Sequence, residues 1–421
     1  MNSFGSRYIR FIEMTVATLL MLYSALMFAV KGGMNGSFLL LLLLSLSVLI
    51  FRPRGMPSVV WSRETTNYLL AMAALPVAIF LSQSYHQQLG GHPYDAASRF
   101  LLALPIFMLL QRVRFSVVAM VQYGFPLAAM AGCVMLEPIA QGRYGIATLD
   151  LIHFGDFELM LGVLSVLSIN WTGTEGLLLR VFKTIGFVAG IYASIASGSR
   201  GGWVALPIFL VIYIYFKFGK ISVKAMMAVL SILIMTGLSA YSFNQEVHHR
   251  FDEVTGDLAA FDQGNPDTPV GIRLQLFKVA VEVVSDNPVF GVGPEGFARE
   301  MAPMLKAGKI TPLAADLGKG EVHNELLSKA AGLGLFGLLA MLMIYLVPLR
   351  LFFRAMKSVS IPVRQSGMLG MVFVSGFMVF GLTVEILNLT MAAAFYALTV
   401  AVLLAACLNY QHGEFASPDI R

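Results

Sequence analysis

Apolar residues in this chain come in long, nearly uninterrupted runs, and the short connectors between them hold most of the charge. Such runs approach the ~20 residues that cross a bilayer and show no alternation of strand type. Length and apolar continuity predict about twelve helical spans, at 11–30, 37–51, 67–82, 98–110, 115–136, 157–171, 182–197, 203–216, 225–243, 326–349, 366–383 and 387–408. One long segment breaks the rhythm. Residues 244–324 are polar enough to form a loop domain, between an N-terminal block (1–243, about nine spans) and a C-terminal block (325–421, about three spans and a short tail).

The loop is itself patterned. It opens with "NQEVHHRFDEVTGD", passes the turn-rich "DQGNPDTP", and continues as "GIRLQLFKVAVEVVSDNPVFGVGPEGF". Apolar spacing predicts a helix over 272–285, stopped at Asn287-Pro288, that lies against the membrane or the bundle of spans. The segment closes with "GEVHNELLSKAAGLGLFG", in which His323 stands just before the next span.

Composition agrees with the pattern. The 421 residues are 57% hydrophobic and 13% charged, with a mean hydropathy of +0.75, far more apolar than a soluble domain. The fold class is therefore an all-α polytopic membrane protein. Arg7 and Arg10 precede the first run without a small-residue cleavage site behind it, which predicts a retained first helix. Cys133 and Cys407 both lie in apolar runs, so no disulfide framework or thiolate metal cluster is visible.

Net charge is +5, and its distribution says more than its sign. With the N-terminus cytoplasmic, Arg52, Arg54, Arg63, Arg112, Arg114, Lys217, Lys220, Lys224, Arg350 and Arg354 all fall on cytoplasmic connectors. Outside the long loop, the opposite side then keeps only Lys31, Arg99, Arg143 and Arg200, as the positive-inside rule requires. Both termini are expected in the cytoplasm and the long loop outside. The excess of cations follows from topology and points to no nucleic-acid partner.

Three residues on the outer side carry candidate chemistry. Arg200 sits in "SGSRGGW", a connector too short to let it leave the bundle. It reads either as a residue snorkelling to headgroups or as an anion ligand. Gly201 and Gly202 favour the second, since they let a ligand approach the backbone at the start of a helix. Arg273 is one charge on the predicted loop helix. His323, beside Asn324 and Glu325, either satisfies a local hydrogen bond or takes a proton from a hydroxyl. Gly291, Gly293 and Gly296 suggest a dinucleotide turn only weakly, because no strand precedes them. Arg143, in "EPIAQGRYGIATLDLIHFGD", either completes a cationic pocket or meets a headgroup.

"SGSRGGW", the arginine opening a loop helix that leads to "NPVFGVGPEGF", and "HNELLSKAAGLGLFG" occur in this order around one long outer loop. Together they resemble the O-antigen ligase and polymerase superfamily of bacterial envelope glycosyltransferases, most densely over 197–337. The resemblance implies a GT-C-like inner-membrane enzyme with a periplasmic active site. It also implies an undecaprenyl-diphosphate-linked O-antigen as donor, lipid A core oligosaccharide as acceptor, and surrounding membrane lipids. The matching positions make His323 the base, with Arg200 and Arg273 on the diphosphate; Arg143 is no part of that match and would add to the cationic pocket.

Those residue types suit such chemistry. A guanidinium reads phosphate oxygens in pairs and stabilises the leaving diphosphate without a metal. Single displacement would invert the anomeric centre. No paired acids stand near these residues, so no metal and no cofactor is expected. The chain ends soon after the last predicted span, at "NYQHGEFASPDIR", which leans toward a ligase. A polymerase of the repeat unit or a protein O-oligosaccharyltransferase are the alternatives. A lipid-linked glycan transporter is the rival of another class, but transporters gather decisive polar groups near the midplane, whereas these map to the outer edge.

Overall fold

A computed structural model describes residues 3–140, 142–220 and 265–414, with positions 227, 231, 256 and 257. Apart from those four positions, the predicted span 225–243 and the opening of the long loop, 244–264, lie outside the described residues. The first half runs through α1 (Ser3–Ala29), α2 (Gly33–Phe51), α3 (Arg63–His86), α4 (Tyr94–Leu110), α5 (Phe115–Val118) and α6 (Val121–Val134). A small antiparallel hairpin, β1 (Glu137–Ala140) with β2 (Arg143–Gly145), leads into α7 (Leu151–Leu167) and α8 (Leu177–Ala196). A 3-10 turn at Gly201–Val204 then starts α9 (Ala205–Phe218). Beyond residue 265 come α10 (Pro269–Asp286), α11 (Gly296–Lys306), α12 (Pro312–Gly318), α13 (Glu325–Ala355), α14 (Ile361–Phe380) and α15 (Thr390–Glu414).

Nine helical segments among the described residues are long and apolar enough to cross a membrane. The remaining predicted spans are two 17-residue helices, α4 and α7, and the undescribed 225–243. The protein is thus an all-α polytopic membrane protein.

The bundle is built around α15. Its sequence "TMAAAFYALTVAVLLAAC" places small side chains on every side, which lets α4, α13 and α14 pack closely against it, and 89% of its span is buried. Two hydroxyls in this apolar centre are satisfied, Tyr23 against Thr399 at 2.8 Å and Tyr396 donating to the Ile344 carbonyl at 2.8 Å. Phe373 stacks on Tyr396 and Phe377 meets it edge-on, while Phe157 and Phe395 pack on one another and on these two rings. Around this centre α1 pairs with α6, α3 with α13, and α7 with α8. The outer stripe of α8, with Leu178, Val181, Ile185, Val188, Tyr192 and Ile195 exposed at helical spacing, is left to face acyl chains.

At the end away from the long loop, Lys183 of α8 and Glu175 form a buried pair, Nζ to Oε1 2.6 Å, with side chains 0% and 4% exposed. Gln122 Oε1 (2.7 Å) and the Ser168 carbonyl (2.8 Å) take the other ammonium protons. Removing one partner strands the other charge out of water. Glu175→Ala is accordingly expected to destabilise the fold by about 3 kcal/mol or more, read as an earlier thermal transition of the detergent-solubilised protein; an unchanged transition would mean that solvent reaches Lys183.

The long loop contributes a second, smaller core. The predicted helix is α10, starting three residues earlier, where Thr268 caps it by accepting from the Gly271 N–H at 3.1 Å. It ends at Asn287 as the proline after it demands. Ile272, Leu276, Val279 and Val283 pack with Phe297, Met301 and Ala331, so α10 lies on the first half of α13. Gly334 makes this docking possible. It interrupts α13 at φ +64°, and a Cβ there would stand 2.3 Å from the Val289 carbonyl carbon. Leu335 and Val292 N–H groups reach across the break to the Pro288 (2.8 Å) and Ala331 (3.0 Å) carbonyls.

Candidate functional site

The short turn after α8 and the start of α13 come together through a third segment, the turn 381–389 between α14 and α15. Ser197 and Ser199 are buried, while Arg200 is exposed at the N-cap of the 3-10 turn. The guanidinium of Arg200 makes no hydrogen bond or ion pair among the described residues. The two glycines after it serve close packing. A Cβ on Gly202 would stand 2.3 Å from the Asp156 carboxylate of α7, and one on Gly201 would press on Thr383 at 3.3 Å. The space over these glycines is therefore filled by the chain's own side chains, one of them an acid.

Arg143 belongs to this turn. The β-hairpin carries it over Gly198, and its Nε donates to the Ser197 carbonyl at 2.8 Å. One face of the guanidinium is thereby committed to holding the turn, and the rest of the half-buried side chain stays beside Arg200's segment.

From Thr383 the chain leads to Glu385, which is 5% exposed and clasps the segment before α13. Its Oε1 accepts from the Val322 N–H at 2.6 Å and its Oε2 from the Ser328 hydroxyl at 2.6 Å, while its own N–H donates to Glu321 Oε2 at 3.3 Å. Glu325, fully buried, ties the same two segments again: its N–H donates to the Gly381 carbonyl at 2.7 Å and its Oε2 accepts from Leu387 N–H at 2.8 Å. Asn324 caps α13, accepting from Leu327 N–H at 3.0 Å.

His323 rides on this clasp. Its backbone sits at φ +62°, a left-handed conformation that few residues other than glycine adopt, and this turns the ring Nδ1 onto the carboxylate of Glu321 two residues back. Burial works to raise the Glu321 carboxyl. The hydrogen bond from His323, the charge of that ring, the Glu385 N–H and the charge of His153 outweigh it, leaving Glu321 below the ordinary glutamate value. A carboxyl depressed in this way stabilises the folded site above the ordinary value and loses that contribution as pH falls through the lowered one. Glu321 is consequently ionised throughout the neutral range.

His153 is a second imidazole at this end of the molecule. It is 7% exposed, with Nδ1 3.3 Å from the Asp150 carboxylate and Nε2 without a partner among the described residues. Asp150 caps α7 through the Ile152 N–H at 2.8 Å, and its hydrogen bond with His153 is the largest cause holding it down to about 2. Glu321, His153, Asp156 and the clasping role of Glu385 were not apparent as site features in the sequence. The i, i+2 spacing of Glu321 and His323 is the one local signal that could have paired them.

Arg273 lies further out. It is half-buried on the first turn and a half of α10, and its guanidinium makes no hydrogen bond or ion pair among the described residues. The contacts that join Arg143, the Arg200 turn and His323 do not include it; α10 reaches that assembly only through its packing on α13. Gly291, Gly293 and Gly296 form the connection from α10 to α11 and open no nucleotide-binding strand. Among the described residues, no three His, Cys, Asp or Glu side chains converge as metal ligands.

Comparison with known proteins finds similarity over these residues. A family model described as O-antigen ligase matches residues 185–342, from within α8 to within α13, a stretch holding Arg200, Arg273 and His323. A protein of Haemophilus influenzae with no assigned function is 24% identical over 290 residues, 66% of this chain and 71% of its own. The O-antigen ligase of Escherichia coli K12 is 20% identical over 187 residues, 44% of each chain. The family model covers the same turn, loop helix and histidine that carry the resemblance in the motifs, so over this stretch the chain is similar to the O-antigen ligase family.

Proposed function

We propose that the protein is an inner-membrane glycosyltransferase that moves O-antigen polysaccharide from undecaprenyl diphosphate to the lipid A core, on the periplasmic face, with both termini in the cytoplasm. The observation that carries this reading is the clasp that sets His323, its Nδ1 held by Glu321, beside the turn bearing Arg200. With Nδ1 turned onto the carboxylate, Nε2 is the nitrogen left to act as base.

The reaction then needs only these groups. An acceptor hydroxyl attacks the anomeric carbon, its proton passes to His323 Nε2, and the bond from that carbon to the diphosphate oxygen breaks. Undecaprenyl diphosphate leaves with the electron pair, and the single displacement inverts the centre. Arg200 and Arg273 meet the charge that builds on the leaving group, and Arg143 supports the turn while lending its free edge. Two cationic side chains supply the charge stabilisation, so the proposal requires neither metal nor cofactor.

Product analysis tests the reading. Purified protein in nanodiscs, given lipid-linked glycan and lipid A core, is expected to yield core-linked glycan. Lengthened lipid-linked glycan with unmodified core would assign a polymerase instead, glycan on a protein would assign an oligosaccharyltransferase, and movement of the donor across the bilayer without transfer would favour a transporter.

Glu321 offers a finer test. Replacing it with glutamine removes the carboxylate that holds the ring in place, so kcat is expected to fall about tenfold or more while the KM for donor stays within twofold. An unchanged kcat would deny the pairing a role in turnover.

A further inference from the structure

Behind the Glu321–Val322 segment lies a pocket of about 420 Å³, within the range of small-ligand sites. Neither Arg143, Arg200 nor Arg273 lines it. Its lining holds four carboxylates, Asp95, Glu295, Glu321 and Glu385, with Lys319 and Lys329, and apolar residues including Leu75, Phe297 and Leu333. Both lysines are engaged, Lys319 with Asp316 at 3.0 Å and Lys329 with Asn388 and Glu325, and so are Glu295 with His92 at 2.7 Å, Glu321 with His323, and Glu385 with Val322 and Ser328. A second pocket of about 260 Å³ continues from it, sharing His92, Pro93, Pro294 and Glu295 and ending at Gln88 and Arg299. The two adjoin as one trough, and Glu321, which holds the base, is among the residues lining it.

We infer that this trough, lined by Glu321, binds the acceptor oligosaccharide. The inference rests on the glycosyl-transfer reading and adds where the second substrate sits. Four carboxylates against Lys319, Lys329 and Arg299 disfavour a diphosphate there, so the donor's phosphates belong on the arginine side of the Glu321–His323 segment. Carboxylates and amides beside apolar side chains suit sugars, whose hydroxyls donate hydrogen bonds and whose ring faces are apolar. A single segment, Glu321–Val322, separates trough from base, so an oligosaccharide seated there brings its terminal hydroxyl to the place where a proton acceptor is needed.

The test uses the full chain in nanodiscs. Ala298 lines the trough, which Arg143, Arg200 and Arg273 do not, so Ala298→Trp fills the trough; Asp95→Asn with Glu295→Gln keeps its shape and removes two acceptors. With donor fixed, each is expected to raise the KM for lipid A core about tenfold or more while leaving the KM for donor within twofold. An unchanged acceptor KM in the active variants, or an equal rise in donor KM, would overturn the assignment. Should the native chain make no core-linked product, the transfer reading falls, and binding of the lipid-free core oligosaccharide without donor decides the trough separately. Saturable binding to the native chain that Ala298→Trp abolishes upholds it; no binding, or binding that Ala298→Trp leaves intact, overturns it.

Discussion

His323→Ala is expected to lower kcat by about 10²- to 10⁴-fold, the usual contribution of a positioned general base, while the KM for lipid-linked donor stays near native. The split follows from where His323 sits. Its ring is oriented by Glu321 and its backbone by the Val322 contact with Glu385, and in the proposed reaction it touches the acceptor's proton and not the diphosphate. The clasp is made by Glu321, Val322, Glu325, Ser328 and Glu385, so removing the ring leaves those hydrogen bonds standing. The variant should fold. Quenched-flow or initial-rate measurement of core-linked product checks the loss, and a variant within threefold of native would transfer the base's role to another group, with His153 the first to examine because its Nε2 is buried and unpartnered among the described residues.

Arg200→Ala carries the second large effect, a fall of about 10²- to 10³-fold in kcat, as for loss of one preorganised donor to a developing anion. Arg200 is exposed and uncommitted among the described residues, whereas the turn beneath it is fixed by Arg143, by Asp156 against Gly202 and by Thr383 against Gly201. The side chain can therefore be removed without loosening its platform. Arg200→Lys restores the charge without the paired donors, and its kcat is expected between native and Arg200→Ala. Equal activity of Arg200→Ala and native protein, measured at saturating donor, would reduce this arginine to a headgroup contact.

Much of the fold was legible because bilayer-spanning helices are long and apolar. The runs at 11–30 and 326–349 fall within α1 and α13 to within a residue, and 387–408 starts three residues before α15. The helix at 157–171 was drawn too late. α7 starts at Leu151, because its first turns carry His153, Asp156 and Glu158, polar residues that break the apolar run yet are buried in the bundle. The loop helix was legible from spacing and from the proline that stops it. Arg200, Arg273 and His323 could be picked out by residue type and order, but their supports could not. Glu385 meets Val322 across more than sixty positions, Asp156 meets Gly202 across a helix and a loop, and Glu321 reaches His323 because the histidine backbone turns left-handed. No local pattern encodes such contacts.

The most direct test of a histidine base with arginines on the diphosphate is transfer from lipid-linked glycan to lipid A core in nanodiscs with EDTA present, comparing native protein with folded Arg200→Ala, Arg273→Ala and His323→Ala. Core-linked glycan from the native chain in EDTA, lost in all three variants, is the result this mechanism predicts. Native activity that EDTA abolishes and a divalent metal restores, or full activity in the His323 variant, would contradict it.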